Sequence, residues 1–163
     1  ADMRKPRVHD QLGLSNEDGL SSYLIGRASL DEVIRSSALP HLDVITSGPV
    51  PPNPSELLLR DRFKQLVDEL KKDYHHILID VPPIGLITDG NIVMKYTDVN
   101  IILFRQNHSK RSAVRIIRDL NNQGKLPRFG VVLNGVKRSN NKGYGYYEDD
   151  KGNGGGFRSL ISR

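Results

Sequence analysis

The run "HILIDVPP" carries an apolar, β-branched stretch to Asp80 and follows it with Pro82 and Pro83. Proline cannot continue a sheet ladder, so a carboxylate is set at a strand end. In open parallel sheets, ligands collect outside the carboxyl ends of the strands. A carboxylate there can hold Mg²⁺, directly or through water, as hard oxygen ligands do at nucleotide phosphates. Four apolar residues followed by Asp are common in α/β folds, and a strand-end Asp that caps a turn is the ordinary alternative. Far along the chain, "GYGYYEDDKGNGGG" (143–156) places Tyr144, Tyr146 and Tyr147, half of the six tyrosines, where almost nothing else can pack. A phenolic hydroxyl accepts phosphate, which adds about two negative charges at neutral pH. Flexible flanks at Gly143, Gly145 and the glycines at 152 and 154–156 would let several hydroxyls visit one active site in turn. The alternative is a set of aromatic stickers in a disordered end.

Elements able to position Asp80 follow from hydrophobic periodicity. "HHILIDV" (75–81), "VNIILFR" (99–105) and "FGVVLNGV" (129–136) read as buried strands. Between them lie helix-period segments. Leu59, Phe63, Leu66, Val67 and Leu70 form the stripe of one amphipathic helix, whose start is marked by Asn53 as a cap, Pro54 at the first position and Glu56 reaching back. Ser29 with Glu32 opens another helix through "SLDEVIRSS", and Ala113, Val114, Ile116, Ile117 and Leu120 line a third that stops at Gly124. Strands alternating with helices predict an α/β fold with a mainly parallel sheet flanked by helices. Residues 1–136 are expected to form the domain. Residues 137–163, rich in Gly, Asn and charge, read as a flexible tail. Tyr23, Tyr74 and Tyr96 lie in periodic segments and are expected to pack.

The composition narrows the classes further. With 163 residues the chain is one domain in size, and it has no cysteine, so disulfides and thiolate metal sites are excluded. This fits a reducing cytosol. No apolar run reaches the roughly 18 residues of a membrane span, and the first residues have no signal-peptide core, so the chain is expected to be soluble. The 24 Lys and Arg against 19 Asp and Glu give +5, spread along the chain as on an ordinary mixed surface. One concentration holds Arg105, Lys110, Arg111, Arg115 and Arg118; the last four read as a solvated helix face, with reception of an acidic or phosphorylated tail as the alternative. His75 and His76 lack a third ligand at metal-binding spacing and read as surface residues.

The opening "ADMRKP", with "GPVPPNPSELL" and "ILIDVPPIGLITDG", resembles the bacterial tyrosine kinases, the BY-kinases of capsule and exopolysaccharide export. In that family a strand ends in Asp-x-Asp-x-Arg, the Walker B motif reads I-L-I-D-x-P-P, a helix opens with P-P-N-P-S-E-L-L, and the chain closes in a tyrosine-rich tail. Residues 1 to about 150 follow that order. The resemblance implies a P-loop NTPase-like fold using ATP and Mg²⁺. It makes Asp2 the second aspartate of the Walker A′ motif, which accepts the proton of the attacking tyrosine hydroxyl and shares the metal with Asp80, the Walker B aspartate. Arg4 matches the motif's arginine, expected to pair with acidic neighbours and hold the loop. Asn134, at the end of "VVLN", matches the position that faces adenine in related P-loop ATPases, although a strand-end Asn is also an ordinary turn residue. Tyr144, Tyr146 and Tyr147 become the autophosphorylation sites, with transfer between subunits of a ring-like homo-oligomer. The implied setting is the inner face of the plasma membrane, reached through a membrane adaptor or a fused transmembrane polysaccharide co-polymerase segment.

Two departures accompany the match. The 163 residues contain no glycine-rich Walker A loop, and the first Walker A′ aspartate would precede Ala1. The expectation is therefore a fragment of a longer kinase, truncated at the N-terminus and inactive by itself. Two other classes share some features. A P-loop ATPase of the partitioning or cell-division-site type has the acidic strand ends but no use for a terminal tyrosine cluster, and "GFRSLISR" is too short for a membrane-targeting helix. A nucleic-acid-binding module could stack bases on the tail tyrosines, but Asp149 and Asp150 oppose that reading. No nucleic-acid partner is expected.

Overall fold

A computed structural model describes residues 1–83 and 89–137. Its α/β architecture is that expected, and "FGVVLN" and "NIILFR" pair in parallel. Helices α1 (Val8–Leu12), α2 (Leu20–Ile25) and α3 (Leu30–Val33) precede strands β1 (Ile34–Ser36) and β2 (Asp43–Ile45). Then come α4 (Pro54–Leu58), α5 (Asp61–Asp73), α6 (Asp89–Val93), β3 (Asn100–Arg105), α7 (Arg111–Asn122) and β4 (Phe129–Asn134). β1 and β2 form an antiparallel pair, whereas β3 and β4 run parallel with Asn100 opposite Phe129 and Arg105 opposite Asn134. The crossover between β3 and β4 is α7, as parallel pairing requires.

The main core gathers Met3, Leu20, Leu24, Val33, Leu57, Leu58, Phe63 and Val67 around α2, α4 and α5. Tyr23 is buried there beneath the Arg62 guanidinium, which stands 4.5 Å from the ring centroid, and Tyr96 meets Phe63 edge-to-face. Tyr74 donates to Asp43 at 2.8 Å. Tyr23 and Tyr96 pack in the core as their periodic settings predict, whereas Tyr74 is held by its hydrogen bond outside it. A second, smaller cluster holds Met94, Ile102, Ile117 and Leu126 between β3 and α7.

Three local expectations are corrected. The stripe from Leu59 to Leu70 is divided: α4 ends at Leu58, Arg60 is extended, and α5 starts at Asp61. Leu59 falls on the break and is 59% exposed, while Phe63, Leu66 and Val67 are buried. The helix through "SLDEVIRSS" stops at Val33, because Ile34, Arg35 and Ser36 pair across to residues 43–45. Cross-strand pairing overrides helix propensity there. The stretch at 75–81 expected as a strand forms no ladder among the described residues; exposure alternates over 77–81, and Leu78 is 90% exposed. The capping box at α3 does form, with the Ser29 N–H donating to Glu32 at 2.7 Å. Asn53 instead donates its side-chain amide to Glu56.

Gly19 and Gly48 fix how the β2 exit packs on α2. A Cβ on Gly19 would stand 2.4 Å from the Thr46 carbonyl oxygen, and Gly48 has φ +73° with the Ser21 hydroxyl 2.6 Å from a would-be Cβ. This close approach lets Leu20 and Ser21 donate their N–H groups to the carbonyls of Thr46 and Ser47. Ser47 in turn holds the acidic loop at residue 2.

Candidate functional site

The loop at residues 1–5 is built by short-range polar bonds and one apolar anchor. The Asp2 carboxylate accepts the N–H groups of Arg4 and Lys5 through Oδ1, both at 3.0 Å, and its carbonyl accepts the Ser47 hydroxyl at 2.8 Å. Met3 between them is fully buried. The Asp2 carboxylate is thereby fixed in direction, with Oδ2 making no hydrogen bond among the described residues. The nitrogen of Ala1 donates to the Asp80 carbonyl at 2.6 Å, so the two acidic stretches lie side by side. Asp2 and Asp80 both line a groove of about 470 Å³ walled by Val44, Phe63 and Ile79. An open depression of about 560 Å³ beside Ile25, Leu59 and Arg62 contains none of the predicted site residues. The groove is the candidate site because both predicted acidic residues line it.

Arg4 turns away from that groove. Its Nε donates to Asp89 Oδ2 at 2.9 Å, and one terminal nitrogen donates to the Ser55 hydroxyl at 2.9 Å. Ser55 donates to Asp89 Oδ1 in a short hydrogen bond. Asp89 has no exposed surface. Burial alone pushes its carboxyl up, but the bonds from Arg4 and Ser55 and the charge of Arg4 outweigh it and hold the group below the usual carboxylate range. The Asp89 bond likewise holds the guanidinium above its ordinary value. A buried carboxylate with both oxygens bonded and a cation beside it satisfies the rule that interior charges are paired.

Asn134 ends β4 level with Arg105, exposed, and its side-chain oxygen accepts the Gly135 N–H at 2.7 Å. Its position is at the carboxyl edge of the parallel pair, where a ligand would be met, while its acceptor is used in a turn. Tyr144, Tyr146 and Tyr147 lie outside the described residues. Ser55 and Asp89 carry no expected role in the sequence reading, although both stand inside the motifs that carry the resemblance. The signal was a polar residue in each of two apolar contexts, "PSELLL" and "GLITDGNIV".

The carboxylates suit a hard cation. Mg²⁺ takes one or two protein carboxylates and completes its shell with water and substrate phosphates. Asp80 and the free oxygen of Asp2 are carboxylate donors of that kind, and neither side chain is neutralised by an ion pair among the described residues. Among those residues no group of three or more His, Asp or Glu converges into an all-protein metal cage. No helix of the described residues is long and apolar enough to cross a membrane.

No family model matches the chain. The chain is 35% identical over 147 residues to the tyrosine-protein kinase YwqD of Bacillus subtilis (strain 168), covering 90% of this chain and 62% of the relative. Against other tyrosine-protein kinases the chain spans only about a fifth of the relative's length. Among solved structures, the kinase domain of the Escherichia coli tyrosine kinase ETK superposes with a TM-score of 0.79 at 34% identity, covering 91% of this chain and 58% of that one. The VpsO kinase domain superposes with a TM-score of 0.74 at 31% identity, covering 83% and 68%.

Proposed function

The chain belongs to the bacterial tyrosine kinases, and from that premise we propose that it acts, within a kinase domain, as a protein-tyrosine autokinase using ATP and phosphorylating Tyr144, Tyr146 and Tyr147 of a neighbouring subunit. The observation that carries the reading is the Asp2 carboxylate, aimed by two backbone N–H groups beside Asp80 in one groove. Phosphoryl transfer asks for placement and charge neutralisation more than for covalent chemistry.

In the proposed reaction the tyrosine oxygen bonds to the γ-phosphorus as the bond from that phosphorus to the bridging oxygen breaks, releasing ADP. Asp2 Oδ2 takes the hydroxyl proton. A carboxylate with one oxygen already bonded keeps the other free and oriented for that proton. Asp80 and Asp2 would hold Mg²⁺, which supplies charge neutralisation on the phosphates. Asn134 would stand toward the adenine. Cradling the phosphates requires a Walker A loop, and the 163 residues contain none, so transfer belongs to a longer chain. The resemblance supports a ring of subunits at the inner face of the membrane, joined to an adaptor or fused co-polymerase segment, with tail phosphorylation loosening the ring and so regulating polysaccharide polymerisation and export.

The test is replacement of Tyr144, Tyr146 and Tyr147 by Phe in the full-length kinase, which keeps the rings and removes the acceptor hydroxyls. Autophosphorylation is expected to fall at least tenfold while ATP binding persists. Phosphate at the full level on the triple-Phe protein would overturn the tail-as-substrate reading.

A further inference from the structure

We propose that Asp89 and Ser55 are positioning residues for phosphoryl transfer: together they clamp Arg4 and thereby set the direction of the Asp2 carboxylate. The inference rests on the reading of Asp2 as proton acceptor and deepens it.

The geometry makes a closed triangle. Arg4 donates to both partners, and Ser55 accepts from Arg4 while donating to Asp89. Two guanidinium nitrogens are committed in this way, so the fork of Arg4 faces the protein rather than a phosphate. The backbone N–H of this same Arg4 is one of the two that fix Asp2 Oδ1. Anchoring the Arg4 side chain at its far end therefore restrains the backbone that carries this N–H. The triangle also joins segments distant in sequence, residue 4 to residues 55 and 89. Asp89 opens α6 downstream of Asp80, and Ala1 bonds to the Asp80 main chain. The acidic loop is thus tied to the stretch that follows Asp80 at two points, 2.6 Å at Asp80 and 2.9 Å at Asp89. With the Ser47 hydroxyl on the Asp2 carbonyl as a third attachment, the loop is restrained from turning about the line through the other two.

A buried ion pair is weak evidence for a stabilising role, since desolvation offsets much of its attraction. Its better-attested use is to specify one arrangement over others. Arg supplies that here through a rigid planar fork serving two acceptors at once, which Lys cannot reproduce.

The test measures Asp89→Asn, Ser55→Ala and Asp2→Asn in the full-length kinase. Asp89→Asn keeps the side-chain volume and removes the charge that holds the guanidinium. Its kcat for tyrosine phosphorylation is expected to fall about tenfold to a hundredfold, the scale of a misplaced catalytic group, while KM for ATP changes less than about threefold. Hydrogen exchange at the Arg4 and Lys5 amides should accelerate at least about tenfold as their bonds to Asp2 loosen. Ser55→Ala, which deletes one partly exposed hydroxyl, should show the same kcat-only pattern at smaller size and answers the question if Asp89→Asn does not fold. Unchanged kcat in a folded Asp89→Asn or Ser55→Ala protein would overturn the clamp. So would a kcat loss matched by an equal loss of ATP affinity, which would mark a general structural role. Full activity of Asp2→Asn would overturn the proton-acceptor reading and the clamp with it, whereas an inactive Asp2→Asn beside a fully active Asp89→Asn would overturn the clamp alone.

Discussion

Asp89 and Asp2 are both carboxylates in polar bonds, but their surroundings give them different work. Asp2 lines a groove and has only one oxygen bonded among the described residues, whereas Asp89 is wholly enclosed and has both oxygens bonded. Because the folded carboxyl of Asp89 lies below its ordinary value, its contribution to stability is present above that ordinary value, near pH ~4. It is lost as pH falls through the lower folded value. Melting temperature followed downward from pH ~5 should therefore drop more steeply in the wild-type protein than in Asp89→Asn; equal slopes would show that Asp89 does not titrate with folding. At this scale the sequence was legible where chemistry is local. Asp80 stands out in the sequence by its apolar run and prolines, and Asp2 and Arg4 by the resemblance of the motif that holds them. The partnership of residues 4, 55 and 89 was hidden, since nothing local distinguishes the one carboxylate that becomes buried from the other acidic side chains.

The elements show the limits of periodicity. Leu59 and Phe63 occupy one stripe in the sequence, yet the extended backbone at Arg60 puts Leu59 outside and Phe63 in the core. Phe63→Ala should cost about 3–5 kcal/mol in urea unfolding, and Leu59→Ala within about 0.5 kcal/mol. Similar costs for both would restore a continuous helix. Gly19→Ala forces a methyl group against the Thr46 carbonyl and the Gly48 nitrogen, which is backbone and cannot rotate away. That overpacking should destabilise by about 1–3 kcal/mol in the same measurement. The helix α5, the parallel pair and its crossover were readable because apolar runs and amphipathic spacing decide them. β1 was not, because a three-residue strand is defined by its partner. Residues 75–81 read as a buried strand from their apolar run, but a ladder needs a neighbour, and the one backbone carbonyl bonded there among the described residues is that of Asp80, to Ala1.

Across the whole molecule, apolar side chains of the parallel pair remain exposed, Ile101, Leu103 and Val132 on one face and Val131 and Leu133 on the other. Buried parallel strands are covered on both faces, and among the described residues these side chains stay exposed. The basic side chains of α7 stand in solvent, as a solvated helix face requires. With no Walker A loop in the 163 residues, two carboxylates alone cannot retain a triphosphate, so calorimetry of this chain with Mg·ATP should detect no saturable binding; a measurable isotherm would contradict that expectation.

The central claim is that a carboxylate of one subunit serves the tail tyrosines of another. Its most direct measurement mixes two full-length kinases: Asp2→Asn with its native tail, and an active kinase whose Tyr144, Tyr146 and Tyr147 are Phe. An amide cannot accept the hydroxyl proton, so neither protein alone should acquire phosphate on the tail. In the mixture, phosphate should appear on Tyr144, Tyr146 and Tyr147 of the Asp2→Asn chain. Labelling of Asp2→Asn by itself, no tail labelling in the mixture, or phosphate mapping to Tyr23, Tyr74 or Tyr96 would contradict the account.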